Sequence, residues 1–244
     1  MKRAIVIGAT SGIGRALAER LAAEGYRVGV TGRREALLEE LAATRPDSFC
    51  YAAADIMDPA AACAALERLA GELGGLDLCV VSAGTGDLNP GLDYALEEPA
   101  IRTNVVGWTA AVDWAYGRFE GQGGGHLVVI TSVGGLRGGG AAPAYNASKA
   151  YQINYAEGLR QRAAKSGLPL PVTDIRPGFV ATALLRNADY PMLMRPEKVA
   201  EKLFRALERS KRRVVIDRRY ALLVRLWRLI PQGVWERLPI RSRD

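Results

Sequence analysis

Residues 4–14 read Ala4-Ile5-Val6-Ile7-Gly8-Ala9-Thr10-Ser11-Gly12-Ile13-Gly14, and the reading of this stretch decides the fold. An uncharged run rich in β-branched residues and cut off by glycine is a strand buried on both faces, as in a parallel sheet. Leu17, Ala18 and Leu21 then repeat at helical spacing to about Glu24, and Gly25 ends the helix. Between strand and helix lies a turn with three glycines, which reverses tightly and lets backbone approach a ligand. The first N–H groups of the helix have no partner within it, so its N-terminus is a receptor for anions. Gly8, Thr10, Ser11, Gly12, Ile13 and Gly14 are therefore a candidate cradle for a nucleotide phosphate. The plainer alternative is a turn that only packs a helix onto a sheet; the strand–turn–helix order favours the cradle.

Outward from this stretch the same alternation repeats. Strands are predicted over Arg27–Thr31, Phe49–Ala53, Leu76–Ser82, His126–Ser132 and Val172–Ile175, with Arg213–Ile216 as a seventh. Helices are predicted over Glu35–Ala43, from Asp58-Pro59 through Leu73, over Glu97–Arg118 and over Ala144–Ala164. Asp58 serves as cap and Pro59 as first-turn residue of the second of these. Strands separated by helices imply crossovers and a sheet covered on both faces. The fold class is α/β, a Rossmann-type doubly wound parallel sheet of six to seven strands in three αβα layers. One dinucleotide-binding catalytic domain over residues 1–244 accounts for the length. Ligands on such sheets sit beyond the carboxyl ends of the strands, where Gly8, Thr31, Asp55, Ser82, Ser132 and Pro177 all fall.

Composition excludes several classes. Apolar residues make up 49% of the chain, enough for a large core. Cys50, Cys63 and Cys79 are odd in number and lack metal-ligand spacing, so reduced thiols are expected and no metal site is. The apolar run after Met1-Lys2-Arg3 is too short for a signal peptide, and no uncharged run is long enough to span a bilayer. A cytoplasmic location is the expectation. The net charge of +7 is unevenly placed: fifteen Lys or Arg against six Asp or Glu from Arg195 onward give +9, and the first 194 residues carry −2.

Tyr145 and Lys149 are four residues apart on a predicted helix, hence on one face. A cation beside a phenol favours the phenolate and lowers its pKa from about 10, making Tyr145 a candidate proton donor near neutral pH. Ser132, thirteen residues earlier at a strand end, can bind the same substrate oxygen; Thr131 is its rival, and the offset favours Ser132. Tyr151 and Tyr155 lack a Lys four residues on and are read as core or interface residues. The only histidine, His126, opens a strand and is read as structural; with no Gly-x-Ser-x-Gly elbow, a Ser-His-Asp hydrolase is excluded. After the second strand, Thr31-Gly32-Arg33-Arg34 lacks the carboxylate that holds a ribose 2′-hydroxyl. Arg33 instead offers a planar fork for a 2′-phosphate, with Arg34 as a second contact, which favours NADP(H) over NAD(H).

Together these residues resemble the short-chain dehydrogenase/reductase family over residues 3–182. The family's Thr-Gly-x-x-x-Gly-x-Gly is matched at Gly8, Gly12 and Gly14, with Ile7 in the place of the Thr. Its adenine-contacting acid corresponds to Asp55, with Ile56 beside it, and its Asn-Asn-Ala-Gly loop to Val81-Ser82-Ala83-Gly84. Its helical Asn corresponds to Asn104, and its Pro-Gly-x-x-x-Thr nicotinamide stretch to Pro177, Gly178 and Thr182, with Val180 between. The resemblance implies hydride transfer between NADP(H) and a carbonyl or secondary alcohol. In it, Tyr145 moves the proton, Ser132 holds the carbonyl oxygen, and Lys149 binds the nicotinamide ribose and lowers the Tyr145 pKa. Asn104 positions a water linking Lys149 to solvent. A homodimer or homotetramer is implied as well. The alternative from a different class is a non-catalytic NADP(H)-binding protein that senses redox state or scaffolds a complex; the retained Ser132, Tyr145 and Lys149 argue against it.

Residues 183–212 occupy the place of the family's substrate lid. Leu184, Leu185, Tyr190, Met192, Leu193 and Met194 make its first part apolar, which points to an apolar ketone or acyl-type substrate. Residues 218–244 form a basic amphipathic extension, with Arg218, Arg225 and Arg228 on one helical face and Leu222, Leu223, Leu226, Trp227, Leu229 and Ile230 around the remainder. This segment has three readings: a cover over the pocket or a subunit neighbour, a peripheral contact with an anionic inner membrane surface, or a nucleic-acid contact. The last has the charge but no reading motif and is set aside.

Overall fold

The computed structural model describes residues 1–185 and 190–238. β1 (Arg3–Ile7) is followed by α1 (Gly12–Ala23), β2 (Arg27–Gly32), α2 (Glu35–Ala43), β3 (Phe49–Ala53), α3 (Pro59–Leu73) and β4 (Leu78–Val81). Then come α4 (Tyr94–Ile101), a π-helical turn (Arg102–Gly107), α5 (Trp108–Gln122), β5 (His126–Ile130), a 3-10 turn (Val133–Leu136) and α6 (Pro143–Ser166). β6 (Val172–Arg176), α7 (Pro196–Glu208), β7 (Arg213–Val215), α8 (Arg218–Leu229) and α9 (Gln232–Trp235) complete the described chain. Among the described residues seven strands form one sheet in the order β3-β2-β1-β4-β5-β6-β7. Every pairing is parallel.

Local chemistry explains where elements start and stop. At the head of α3 the Asp58 carboxylate accepts from the Ala61 N–H at 3.0 Å, Pro59 needs no donor partner in the first turn, and Gly74 closes the helix at φ 72°. The strands alternate between two cores because each face of the sheet is covered. From β1, Ala4 and Val6 enter the core shared with Leu17 and Leu21 of α1, Leu38 of α2 and Leu203 of α7. Ile5 and Ile7 enter the opposite core, with Leu66 and Leu69 of α3, Trp108 and Phe119 of α5, and Leu159 of α6. Each fully buried aliphatic or aromatic side chain there is worth roughly 1.5–3 kcal/mol. β6 also carries a charge pair stripped of water: Arg176 clasps the Asp174 carboxylate at 2.6 Å, and the Thr131 hydroxyl donates to its other oxygen at 2.6 Å.

The chain winds from β1 toward β3 on one side and from β4 toward β7 on the other, so a crevice opens where the winding reverses.

Two expectations are corrected. The single helix expected over Glu97–Arg118 is three segments, because α4 contains Pro99, which has no N–H to donate, and a widened π turn follows it. That turn brings Thr103, Asn104 and Gly107 inward together; a Cβ on Gly107 would lie 1.9 Å from the Ile56 carbonyl oxygen, so only glycine fits. On α8 the arginines do not have a face to themselves. Leu222, Leu226 and Leu229 stand exposed among Arg218, Arg225 and Arg228, while Tyr220 and Val224 are buried. Residues 186–189 of the lid and 239–244 of the extension lie outside the described residues. No helix among the described residues is long and apolar enough to cross a membrane.

Candidate active site

A cleft of about 1520 Å³ runs along the carboxyl ends of the strands. At its floor the Gly8 and Ala9 N–H groups both donate to the Thr31 carbonyl, at 2.9 and 3.0 Å, which ties the glycine turn to β2. Gly8 adopts φ 87°, and a Cβ on Gly14 would lie 2.1 Å from the Gly8 carbonyl oxygen, so the turn can close under α1 only without side chains. Ser11 precedes α1 without capping it through its side chain. Its hydroxyl and that of Thr10 instead accept from the Arg34 guanidinium, both at 2.7 Å. Arg33, exposed at the same rim, has no hydrogen-bond or ion-pair partner among the described residues. Asp55 accepts from the Met57 N–H at 2.9 Å, and Ile56 is buried beside it.

The loop after β4 supplies Ser82, Ala83 and Gly84 to the same cleft. It is held from behind by Asn104, which accepts from the Thr85 N–H at 2.9 Å and donates to the Thr85 carbonyl at 2.6 Å. Asn104 also donates to the Ser148 hydroxyl of α6 at 2.9 Å and is fully buried. Of the candidate catalytic and cofactor-binding residues, Asn104 and Gly14 do not line the cleft; the others do. Gly14 acts through packing, and Asn104 braces the wall from beneath.

Ser132 follows β5, heads the 3-10 turn and accepts from the Gly134 N–H at 3.0 Å, while Tyr145 and Lys149 follow one turn apart on α6. Burial pushes the Tyr145 phenol up from its ordinary value, and a hydrogen bond with Ser132 pulls it partly back. This corrects the expectation that Lys149 depresses it. The Lys149 ammonium lies 5.9 Å from the Tyr145 ring centre and donates elsewhere, to the Ile130 carbonyl at 3.2 Å and to the Gln152 side-chain oxygen at 2.9 Å. Burial lowers Lys149 itself to about 8, against a smaller opposing pull from Asp174. At neutral pH, then, the phenol holds its proton and the amine holds its charge.

The far wall comes from the segment after β6 and from the C-terminus. The Pro177 carbonyl accepts from the Val133 N–H at 3.0 Å, and Val180 pairs with Met194. Thr182 reaches back over the glycine turn, its methyl 2.9 Å from where a Cβ on Gly12 would stand. Tyr220 lies over Gly178, accepts from the Phe179 N–H at 3.1 Å and donates to the Pro191 carbonyl at 2.8 Å. Leu184, Tyr190 and Met192 from the lid, with Leu223, Trp227 and Trp235 from α8 and α9, add an apolar, aromatic lining. Tyr190 and Trp227 are legible in the sequence as lid and as cover over the pocket; Trp235, Arg137 and Gln152 are missed, because only tertiary contacts bring them to the site.

A doubly wound parallel sheet with this cleft at its switch point defines the dinucleotide-binding α/β class. A sequence profile of the short chain dehydrogenases matches residues 2–191. The chain belongs to that family. An uncharacterised oxidoreductase of Myxococcus xanthus is 34% identical to it, covering 99% of this chain and 98% of the relative. Among solved structures, a short-chain dehydrogenase from Sphingobium yanoikuyae in complex with NADPH superposes with a TM-score of 0.82 at 23% identity, covering 100% of this chain and 99% of that one. One from Burkholderia phymatum in complex with NAD superposes at 0.84 with 21% identity, covering 100% and 98%. At that identity the structures speak for the fold.

Proposed function

We propose that this chain is an NADP(H)-dependent reductase of apolar ketones or acyl-type carbonyls, working reversibly on the corresponding secondary alcohols. The observation that carries the reading is that Ser132, Tyr145 and Lys149 share one cleft with a glycine cradle that has no room for side chains. The cradle fits a pyrophosphate, and the unpartnered Arg33 fits a 2′-phosphate, which favours NADP(H) over NAD(H). Bound there, the cofactor supplies the hydride. Lys149 holds the ribose through its ammonium, and Asn104 keeps the Ser82–Gly84 loop rigid against it. Ser132 orients the substrate carbonyl oxygen by donating to it. Tyr145, which burial keeps protonated, delivers its proton to that oxygen as the carbonyl carbon is reduced. The apolar wall of Leu184, Met192, Leu223, Trp227 and Trp235 excludes water and suits an apolar substrate.

Tyr145→Phe is expected to lower kcat for NADPH-dependent ketone reduction by roughly 10²–10⁴-fold, with NADPH binding retained. Undiminished turnover would remove Tyr145 from its role. A wild-type protein that binds NADPH but reduces nothing in a broad carbonyl panel would instead be the non-catalytic binder.

Assembly as a homodimer or homotetramer is part of the proposal, supported by the outward Tyr151–Tyr155 ring pair on α6, with centroids 5.5 Å apart. So is peripheral contact with an anionic membrane from the cytoplasmic side. Leu222 (60% exposed), Leu226 (52%) and Leu229 (78%) form a row on the outer side of α8. Arg218, Arg225 and Arg228 around it have no hydrogen-bond or ion-pair partners among the described residues. An apolar row edged by free guanidinium groups complements acyl chains beneath anionic headgroups.

A further inference from the structure

We infer that Gln152 is a positioning residue for Lys149, bridging the ammonium to the Asn104 backbone carbonyl where the family resemblance implies a water. The inference rests on the proposed role of Lys149 as the ribose-binding cation. Gln152 lies three residues after Lys149 on α6 and is fully buried. Its side-chain oxygen accepts from Lys149 Nζ at 2.9 Å, and its Nε2 donates to the Asn104 carbonyl at 2.9 Å. Both ends fix the orientation of the amide: reversed, its NH₂ would face an ammonium and its oxygen a carbonyl.

Two consequences follow from this bridge. An ammonium has three donors. The Ile130 carbonyl and Gln152 occupy two of Lys149's, which leaves one for a ligand in the cleft that Lys149 lines. Gln152 therefore sets where that last donor can go. Secondly, a carboxamide neither releases nor takes up a proton near neutral pH, whereas a water in its place could relay one. The buried route from Lys149 to Asn104 is thereby closed, and the proton that replaces the one leaving Tyr145 enters through the cleft. The other ionisable groups facing Lys149 are Tyr145, one turn earlier on α6, and Asp174 on β6, itself held by Arg176 and Thr131.

The test is the pH dependence of NADPH affinity, read by nicotinamide fluorescence, which needs no knowledge of the substrate. Ribose binding favours charged Lys149, so wild-type affinity should hold below about pH 8 and weaken as pH rises through it. Gln152→Leu keeps the volume but removes the acceptor from the ammonium, so the charge is lost at lower pH and affinity at pH 8 falls about three- to tenfold relative to wild type. Gln152→Ala opens room for water between two polar partners, and water can restore the bridge. The alanine variant should therefore bind NADPH more tightly at pH 8 than the leucine variant, despite the larger cavity. A packing role predicts the reverse order. An unchanged pH profile in Gln152→Leu, or weaker binding by Gln152→Ala than by Gln152→Leu, would overturn the inference; if the leucine variant does not fold, a wild-type solvent isotope effect on proton delivery unchanged in Gln152→Ala does the same. Lys149→Met separates the two levels: if it keeps the wild-type pH dependence, the reading of Lys149 itself fails.

Discussion

Arg33 and Arg34 adjoin in sequence and are used differently in the fold. Arg34 is committed to the Thr10 and Ser11 hydroxyls and so stiffens the cradle, whereas Arg33 has no partner among the described residues and, on the proposed reading, gives its donors to a 2′-phosphate. Arg33→Ala should weaken NADPH binding about ten- to a hundredfold, the loss of one charge-assisted contact of roughly 1.5–3 kcal/mol, and leave NADH binding unchanged. Equal weakening of both nucleotides in a fluorescence titration would take the 2′-phosphate role away from Arg33. The residue type and its place at a strand end were legible in the sequence, and so was the Tyr145–Lys149 spacing. The environment of the phenol was not. Helical spacing brings the two side chains to one face, but whether burial or a neighbouring charge dominates depends on Ile130, Ser132 and Gln152, which approach from other turns and another strand.

At the scale of elements, the loop after β5 and the C-terminal helices are riveted together. Arg137, in that loop, donates from one nitrogen to the Trp227 and Ile230 carbonyls at 2.9 and 2.6 Å, the first of which also accepts from the Ile230 N–H. Its guanidinium lies 5.5 Å from the Trp235 ring centre, and the Trp235 N–H returns a bond to the Gly138 carbonyl at 2.8 Å. Arg137→Ala should free α8 and α9 from the cleft wall. The expected result is a KM for bulky apolar ketones raised about tenfold, two charge-donor bonds being worth roughly 1.5–3 kcal/mol each before relaxation, with small ketones and NADPH affinity little changed. A KM that rises equally for small and large ketones would show that the wall does not select by size. Strand and helix order was legible because alternating apolar runs and glycine stops are local signals. The π turn was not, since Glu97–Arg118 carries an unbroken helical pattern apart from Pro99. In that turn Gly107 fits under Ile56 and Asn104 bonds Thr85, contacts between distant parts of the chain that no local pattern announces.

For the whole molecule, charge and shape meet at α8. The body is near neutral while the segment from Arg195 onward carries +9, so the basic end is where an anionic surface would be felt. Flotation with phosphatidylglycerol vesicles should carry the full chain at low salt and lose it as salt rises, whereas phosphatidylcholine vesicles should leave it behind. Replacing Leu222, Leu226 and Leu229 by Ser, three exposed positions, should cut the floated fraction several-fold without altering NADPH binding. Equal flotation of the triple variant would dismiss the contact, and a drop in oligomer size for that variant would assign the row to a second copy of the chain. The same helix has a second office. Leu223 and Trp227 face whatever the cavity encloses, while Leu222 and Leu226, each one step away along the rod, face whatever the protein rests against. On the proposed reading, preference for cargo and choice of berth would be written on adjoining letters of one short word, so that a substitution at one lies a single step from the other.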